Sequence, residues 1–344
     1  MAWLSFWLAA ALSCLGVWLT LAYGRRAGML AHPGVRDGHR LPTPTGAGLG
    51  LVAALVAVSY LPMTAEFLAT WWQAVLVPAA LLLCLVGWLD DRHPLSWKLR
   101  LAVQVAVSIG LLTLLPYLDS VEWLPDELHI PMLSAWFAWP ALLLYLVGTM
   151  NAYNFMDGSN GMAGAQGLFA GLMLAWLGAE AGQAGFALAS LLLAGVCLGF
   201  LPWNLPRAKT FMGDAGSVPL GLLLAALCLV AAGLGLLPLP AVLLVLAVFL
   251  VDAGLTLARR LIGGERWYTA HRQHLYQKLI DRGWTHMQAL LLYQGINWLL
   301  IAPAMVVMAH ERQLVWPLTG TLIALLVAAW TIASLKLGND LEGQ

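Results

Sequence analysis

Long apolar runs recur along the whole chain and are separated by short polar connections. A run of roughly 20 apolar residues can cross the hydrocarbon core of a bilayer as one helix. On this criterion the pattern predicts about eleven membrane-spanning helices, at residues 3–23, 46–61, 70–89, 99–116, 134–150, 162–179, 183–201, 218–236, 241–258, 287–308 and 314–335. The sequence therefore predicts an all-α, polytopic membrane protein that forms a single domain over residues 1–344.

The basic residues indicate how these helices are oriented. Of the 17 lysines and arginines, 16 fall on one side of the predicted topology, and only Arg312 falls on the other. Cytoplasmic loops of membrane proteins carry such an excess of positive charge. We therefore expect a periplasmic N-terminus, a cytoplasmic C-terminus and an odd number of spans.

Composition supports this class of protein. Hydrophobic residues make up 61% of the chain and charged residues only 10%, whereas soluble domains carry about a quarter charged residues. The net charge is zero, so the chain lacks the excess of basic residues that is typical of nucleic-acid-binding proteins. The four cysteines lie inside apolar runs without paired spacing, so neither a disulfide framework nor a zinc site is predicted.

Polar side chains gather in the connections on the predicted cytoplasmic side. The string Pro42-Thr43-Pro44-Thr45-Gly46 combines prolines that fix the backbone with a glycine that permits close approach to a phosphate, although an ordinary turn has the same composition. Asp90 and Asp91 end the third run, followed by Lys98 and Arg100. Adjacent carboxylates at a membrane boundary repel one another, and a divalent cation or a shared proton would offset that cost.

Two further clusters are rich in side-chain oxygen and nitrogen atoms. Asn151, Asn154 and Asp157 recur every three residues, so a helical turn would align them along one edge. The segment from Asn204 through Lys209 ends in Gly213-Asp214-Ala215-Gly216, where glycines let the backbone fold around whatever the carboxylate binds. These clusters share one predicted face, and their carboxylates would suffice for one magnesium ion. Capped interhelical loops are the alternative.

The last cytoplasmic connection follows an acid inside the ninth run. A carboxylate within a span is costly, so we expect Asp252 to face the bundle interior and to pair with Arg259 or Arg260, in a structural or a catalytic role. His271, Arg272 and His274 follow, in a spacing suited to a diphosphate or nucleotide.

Together these motifs resemble those of the polyprenyl-phosphate N-acetylhexosamine-1-phosphate transferases. The likeness covers most of the chain and rests on Pro42-Thr43-Pro44, Asp90-Asp91, the Asn-x-x-Asn-x-x-Asp-Gly run at 151–158, and 211–217. The segments at 207–209, 252–260 and 271–274 are most similar to the branch that initiates O-antigen and teichoic-acid synthesis.

The resemblance implies transfer of a sugar 1-phosphate from a UDP-N-acetylamino sugar to undecaprenyl phosphate, with release of UMP, in the bacterial inner membrane. It implies Mg²⁺ as the cofactor, with Mn²⁺ as a substitute, and it is compatible with a homodimer. Asp214 would hold the metal, and Asp90 and Asp91 would engage the acceptor phosphate or act as base. The donor would be bound by Asn151, Asn154, Asp157, Asn204, Lys209, His271, Arg272 and His274, with support from Thr43, Pro44, Gly46, Lys98, Arg100, Gly213, Asp252, Arg259 and Arg260.

Two departures from the family pattern concern the donor sugar. The chain has His274-Leu275-Tyr276-Gln277 where relatives often carry further histidines, and Asn160 where they often carry an aspartate. UDP-GlcNAc, UDP-FucNAc and UDP-QuiNAc all stay open as donors. Phospho-N-acetylmuramoyl-pentapeptide transfer is a second enzymatic interpretation, and an ion-coupled transporter, with acids near broken helices, is the alternative from another class.

Overall fold

The computed structural model describes residues 1–26, 30–31, 43–115, 135–266, 269 and 271–339. Pro42 of the first predicted motif lies outside these residues. The described helices are α1 (Ala2–Arg26), α2 (Ala47–Ser59), α3 (Pro62–Ala65), α4 (Trp72–Arg92), α5 (Trp97–Leu114), α6 (Ala135–Met156), α7 (Met162–Glu180), α8 (Ala184–Asn204), α9 (Asp214–Gly233), α10 (Leu239–Ile262), α11 (Leu275–Asp281), α12 (His286–His310) and α13 (Val315–Asn339).

Every apolar run predicted from the sequence coincides with a helix. Within the described ranges, nine helices are long and apolar enough to cross a membrane. The two remaining runs correspond to α2, which has 13 residues, and to α6, which has 22. The all-α, polytopic fold is thus confirmed, while the count of eleven crossings and the orientation of the termini stay predictions. The strand pairing that the described residues show is one short antiparallel contact between β1 (Leu30–Ala31) and β2 (Thr43–Pro44).

The helices are arranged around α9. All of the most apolar window of α9 is buried inside the protein, compared with 22% of the corresponding window of α5. Helix α9 packs against α4 and α6, and it also contacts α2 and α7. The helices α1, α2 and α8 pack against one another, and α7 packs against α8. A helix buried on all sides must be apolar along its length, as α9 is beyond its first turn, which begins at Asp214.

Candidate active site at the N-terminus of α9

The first turn of α9 is held by a carboxylate from α4. One oxygen of Asp91 accepts a hydrogen bond from the backbone nitrogen of Asp214 at 3.1 Å, and the other accepts from that of Ala215 at 3.3 Å. The first backbone N–H groups of a helix have no partner within it, so an anion at this position satisfies them and interacts favourably with the helix dipole. Asp91 thereby fixes where the Asp214 side chain begins.

The turn before α9 has little free space. Gly213 has a φ of +69°, in the region that favours glycine, and a β-carbon there would overlap the Asp91 carboxylate. The preceding chain is fixed by backbone hydrogen bonds from Phe211 to Pro44 at 2.9 Å and from Gly48 to Met212 at 3.0 Å. The segment that begins with Thr43 and Pro44 and turns at Gly46 is therefore bonded to the 211–214 turn.

The Asp214 carboxylate is the centre of a charged network. Asn154 of α6 donates to its Oδ1 at 2.7 Å, and the same Nδ2 atom also donates to the Ser217 hydroxyl at 2.8 Å. Arg100 of α5 contacts Oδ2 at 3.2 Å and bonds the Asp90 carboxylate at 2.7 Å. Charge-assisted hydrogen bonds of this kind are the strong ones. Four helices thus contribute side chains to one point.

Asp90 and Asp91 serve different contacts although they are adjacent. Successive residues of an α-helix point about 100° apart, so Asp91 faces α9 while Asp90 faces α5. Besides the contact with Arg100, Asp90 accepts a hydrogen bond from the backbone nitrogen of Leu95 at 2.6 Å. Both carboxylate oxygens of Asp90 are therefore bonded within the protein.

A cavity of about 750 Å³ opens beside this network. Its polar wall includes Asp91, Asp214 and Asp157, the amides Asn151 and Asn154, and the imidazoles His271 and His274. Its apolar lining, called the apolar wall below, includes Leu83, Leu101, Leu144, Leu250 and Leu257 from four helices. A cavity lined by both charged and apolar side chains suits a ligand that is itself amphiphilic.

Asp157 differs from the other carboxylates of the cavity. It lies half-buried in the turn after α6, and the described part of the chain provides no hydrogen-bond donor to it. Burial raises the pKa of Asp157 well above its usual value, and the negative charges of Asp214 and Asp91 raise it further. A carboxyl group in this state accepts a proton or a cation readily, which makes it a candidate for chemistry.

The acids of the cavity fit a magnesium ion better than a metal held only by protein ligands. Among the described residues, no group of three or more His, Cys, Asp or Glu side chains is arranged to hold a metal ion. Magnesium commonly takes only one or two carboxylates and completes its shell with water and substrate phosphates. Asp214 and Asp157 line the same cavity, where burial and then the negative charges of Asp214 and Asp91 raise the pKa of Asp157, and a nearby cation would offset part of that charge.

Several predicted binding residues do not face the cavity. Asn204 donates to the carbonyl of Thr210 at 2.9 Å and also accepts from the backbone of Gly161, so it ties two turns together. The ammonium group of Lys209 lies 5.4 Å from the Trp203 ring, and Arg272 pairs with Asp281 at 2.7 Å. Lys98, which was predicted to support the site and not to bind the donor, lies over the Trp97 ring. These contacts favour supporting roles over donor binding.

The predicted pairing of Asp252 with Arg259 or Arg260 is wrong. Asp252 is buried, as predicted, but its carboxylate accepts hydrogen bonds from Tyr293, Trp330 and the backbone of Leu275 rather than from an arginine. Arg260 instead pairs with Glu265 at 3.1 Å, and Arg259 bonds Gln273. Proximity along the helix suggested the arginine pairing, whereas the real donors come from distant helices.

Sequence reasoning overlooked Gln104 of α5. This buried amide accepts a hydrogen bond from Asn151 at 2.8 Å and lines the cavity. A polar side chain inside an apolar run is itself a signal of function or of a buried partner, and that signal was present here. Tyr276 and Gln277 also line the cavity next to the predicted histidines.

Fold and site together define a multi-pass membrane protein with an acid-lined cavity, at the end of its central helix, suited to a phosphorylated ligand. Comparison with known proteins places the chain within that class. It belongs to glycosyl transferase family 4, whose model matches residues 72–232. The predicted resemblance to a family of membrane-bound phosphotransferases is thereby confirmed.

Named relatives align along most of their length. The chain is 32% identical to the decaprenyl-phosphate N-acetylglucosaminephosphotransferase of Mycobacterium tuberculosis, over 92% of this chain and 84% of the relative. It is 34% identical to a phospho-N-acetylmuramoyl-pentapeptide-transferase of Synechococcus, over 75% and 77% of the two chains. It is 27% identical to the probable undecaprenyl-phosphate N-acetylglucosaminyl 1-phosphate transferase of Bacillus subtilis, over 82% and 78%.

Proposed function

We propose that the protein transfers N-acetylglucosamine 1-phosphate from UDP-N-acetylglucosamine to undecaprenyl phosphate in the bacterial inner membrane and releases UMP. The observation that carries this proposal is the cavity whose lining combines Asp91, Asp157 and Asp214 with apolar side chains from four helices. The acids suit a magnesium ion that would in turn bind the phosphates, and the apolar lining suits a polyprenyl chain. Two of the relatives named above carry N-acetylglucosamine and a polyprenyl phosphate in their names.

The reaction is a single displacement at phosphorus. An oxygen of the acceptor phosphate forms a bond to the β-phosphorus of the donor, and the bond from that phosphorus to the bridging oxygen breaks. The bridging oxygen leaves with the electron pair as part of UMP, and the product is an undecaprenyl diphosphate carrying the sugar. Such transfers depend mainly on positioning and on neutralising the charge of the phosphates.

Magnesium, or manganese in its place, would be held by Asp214 and would supply positive charge to the donor diphosphate. Asn154 and Arg100 hold the Asp214 carboxylate in a fixed orientation from two sides. Arg100 also brings a positive charge to the rim of the cavity.

The contacts suggest how the roles are divided among the acids. Asp91 is committed to two backbone N–H groups and Asp90 to Arg100, so we assign both to positioning of the α9 turn and its cation. Asp157 lacks a donor within the described residues and has a raised pKa, so we assign to it the proton of the acceptor phosphate when that group arrives protonated. Asn151, His271 and His274 line the remainder of the polar wall and are assigned to the donor.

The test is UMP release by purified protein supplied with undecaprenyl phosphate and one UDP-sugar at a time. The panel contains UDP-GlcNAc, UDP-FucNAc, UDP-QuiNAc and UDP-MurNAc-pentapeptide. We expect release that requires the lipid, the metal and Asp214, with UDP-GlcNAc as the best donor. Faster release with a 6-deoxy donor would move the protein to that sugar, and faster release with the pentapeptide donor would move it to peptidoglycan synthesis.

Silence across the whole panel from correctly folded protein would contradict the proposal and favour the transporter interpretation. Glu66→Gln, which alters an exposed acid near α3, is the control variant and should keep wild-type activity. We propose that the product initiates synthesis of O-antigen or a related envelope polysaccharide. Reporter fusions at the two termini test the predicted periplasmic and cytoplasmic ends, and mass measurement in detergent tests the homodimer.

A further inference from the structure

Asp252 is a buried carboxylate that joins four parts of the fold. It lies in α10 and is 1% exposed. Its Oδ1 accepts from the backbone nitrogen of Leu275 at 2.7 Å and from the Trp330 indole at 2.9 Å. Its Oδ2 accepts from the Tyr293 hydroxyl at 2.7 Å. The side chain thus connects α10 with α12, with α13 and with the segment that opens α11.

The surroundings of Asp252 require a carboxylate. Within the described part of the chain no cation pairs with it, so neutral donors stabilise its charge. Both oxygens accept, and an ionised carboxylate offers only acceptors. Asparagine has nearly the same shape but would place an N–H₂ group against donors on one side and lose those bonds. Alternatives to aspartate at this position therefore disturb the attached segment even when they fill the same volume.

The segment attached to Asp252 is also fixed from its opposite side. Tyr276 is fully buried, and its hydroxyl donates to the carbonyl of Phe155 at 3.0 Å. A β-carbon at Gly158 would overlap that hydroxyl, so the 155–158 turn and Tyr276 are in close contact. Asp157 lies in the same turn. Residues 274–276 are consequently clamped between Asp252 and the turn that carries Asp157.

This segment forms one wall of the cavity, although Asp252 does not. His271, His274 and Tyr276 line the cavity together with Ala253 and Gly254 of α10. The rings of His271 and His274 lie 4.8 Å apart, and the His274 ring lies 5.8 Å from Phe155. Asp252 is not among the residues that line the cavity, and its carboxylate bonds Tyr293 of α12 and Trp330 of α13. Its influence on a ligand must act through the 271–276 wall.

We infer that Asp252 is a positioning residue that sets the place of the 271–276 wall and thereby the affinity for the nucleotide-sugar donor. The inference rests on the proposed function for the identity of the ligand, but not for the anchoring itself. Tyr293 and Trp330 contribute to the same anchoring, because each donates one hydrogen bond to the Asp252 carboxylate. The acceptor lipid contacts the apolar wall and should be unaffected.

Hydrogen–deuterium exchange tests the anchoring without any assay of activity. Asp252→Asn should accelerate exchange in the peptide covering 271–277 by about tenfold or more, since the Leu275 and Tyr276 amides lose a charged acceptor. Tyr293→Phe and Trp330→Phe should accelerate exchange in the same peptide by a smaller factor. They take the place of Asp252→Asn in this test if that variant does not fold. Tyr60→Phe, which removes a hydroxyl that donates to Gln73, is the matched control and should leave this peptide unchanged.

Kinetics tests the consequence for the donor. Asp252→Asn, or Tyr293→Phe if the first variant is unstable, should raise the KM for the donor while the KM for the lipid and kcat change less than about threefold. Combined with His274→Ala, the same change should have little further effect on the donor KM, because both act through one wall.

Unchanged exchange in the 271–277 peptide of every variant would overturn the anchoring. Accelerated exchange with equal losses for donor and lipid would overturn the positioning role and leave a general structural one. Failure of the proposed function alone would appear differently, as accelerated exchange in a protein that releases no UMP from any donor.

Discussion

Asp252 on the one hand, and Asp214 with Asp157 on the other, have opposite surroundings in this protein. Asp252 is sealed between helices, and neutral hydrogen-bond donors surround its carboxylate. Asp214 and Asp157 face a cavity of about 750 Å³, where Arg100 is the cation that touches Asp214. The first acid is satisfied by the protein alone. The second pair carries negative charge that the described residues neutralise only in part.

The difference separates architecture from chemistry. A carboxylate with its full set of donors gains nothing from a ligand, and removing it leaves donors without partners. Acids that repel one another beside a cavity destabilise the empty protein and gain from a cation or a phosphate-bound metal. We therefore expect variants of the cavity acids to lose activity and keep stability, and variants of the sealed acid to lose stability first.

Substitution of Asp157 is expected to cause a large loss of kcat/KM. Asp157→Asn should lower kcat/KM by about 10²–10⁴-fold, the range typical of a lost general base. In the wild type, kcat/KM should rise with pH until Asp157 is ionised, at an apparent pKa well above the usual aspartate value. The variant should lack this rise. A wild-type profile that is flat from pH 5 to 8 would contradict the assigned role.

The same residue predicts a pH effect on stability with a definite sign. Because the pKa of Asp157 is raised in the folded state, the folded protein keeps a proton that the unfolded chain releases. The contribution of Asp157 to stability without magnesium should be largest below the unfolded pKa of about 3.9 and should fall as pH rises toward the raised value. Asp157→Asn should remove that fall. Melting temperatures measured across this range, with and without magnesium, check the sign.

Arg100 tests whether the charge of the cavity must be balanced. Arg100→Met should reduce kcat/KM by about 10²-fold, since it removes the cation that bridges Asp90 and Asp214. Adding Asp90→Asn should recover part of the activity, because it removes one of the two negative charges, Asp90 and Asp214, that lose their arginine partner. Arg312→Met, at a basic residue bonded to the carbonyl of Gly235, is the control. No recovery in the double variant would argue against charge balance.

Helix packing against the α9 turn should matter less than charge. A β-carbon at Gly87 would lie 2.6 Å from the backbone nitrogen of Ala215, so Gly87→Ala should shift α4 and lower kcat/KM by about 10–100-fold. Gly110→Ala is the matched control, because a β-carbon there meets nothing within 4 Å. The control should keep activity and gain up to about 1 kcal/mol of stability. Equal activity in both variants would contradict the close packing.

Lys209 should give the smallest effect. Its ammonium group lies over the Trp203 ring and not in the cavity, so Lys209→Met should change kcat/KM by less than about threefold. The sequence-based prediction, that Lys209 binds the donor, would instead give a large increase in donor KM. Steady-state kinetics with the donor varied separates the two.

The sequence was sufficient for the helices and for the neighbourhood of the site. Apolar runs of bilayer length predict helices directly, and each run coincides with one. Asp214 was expected just before the eighth apolar run, and it lies in the first turn of α9, where Asp91 also comes close because α4 packs against α9.

Side-chain partners could not be predicted, because they come from far along the chain. Asp252 receives its donors from residues 23, 41 and 78 positions away, whereas the predicted arginines lie two turns along the same helix. Adjacency likewise suggested one role for Asp90 and Asp91, although the helix directs them to different neighbours. Only the packing of helices decides which of these polar groups face the cavity.

One paired measurement tests the contrast between the two groups of acids most directly: UMP release and melting temperature for Asp214→Asn and Asp252→Asn, assayed together with the wild type. The account predicts that Asp214→Asn releases UMP at least about 10³-fold more slowly and melts at or above the wild-type temperature. Asp252→Asn should melt lower and retain most of its kcat at saturating donor. An active Asp214→Asn, or an Asp252→Asn variant that loses its chemistry without losing stability, would contradict it.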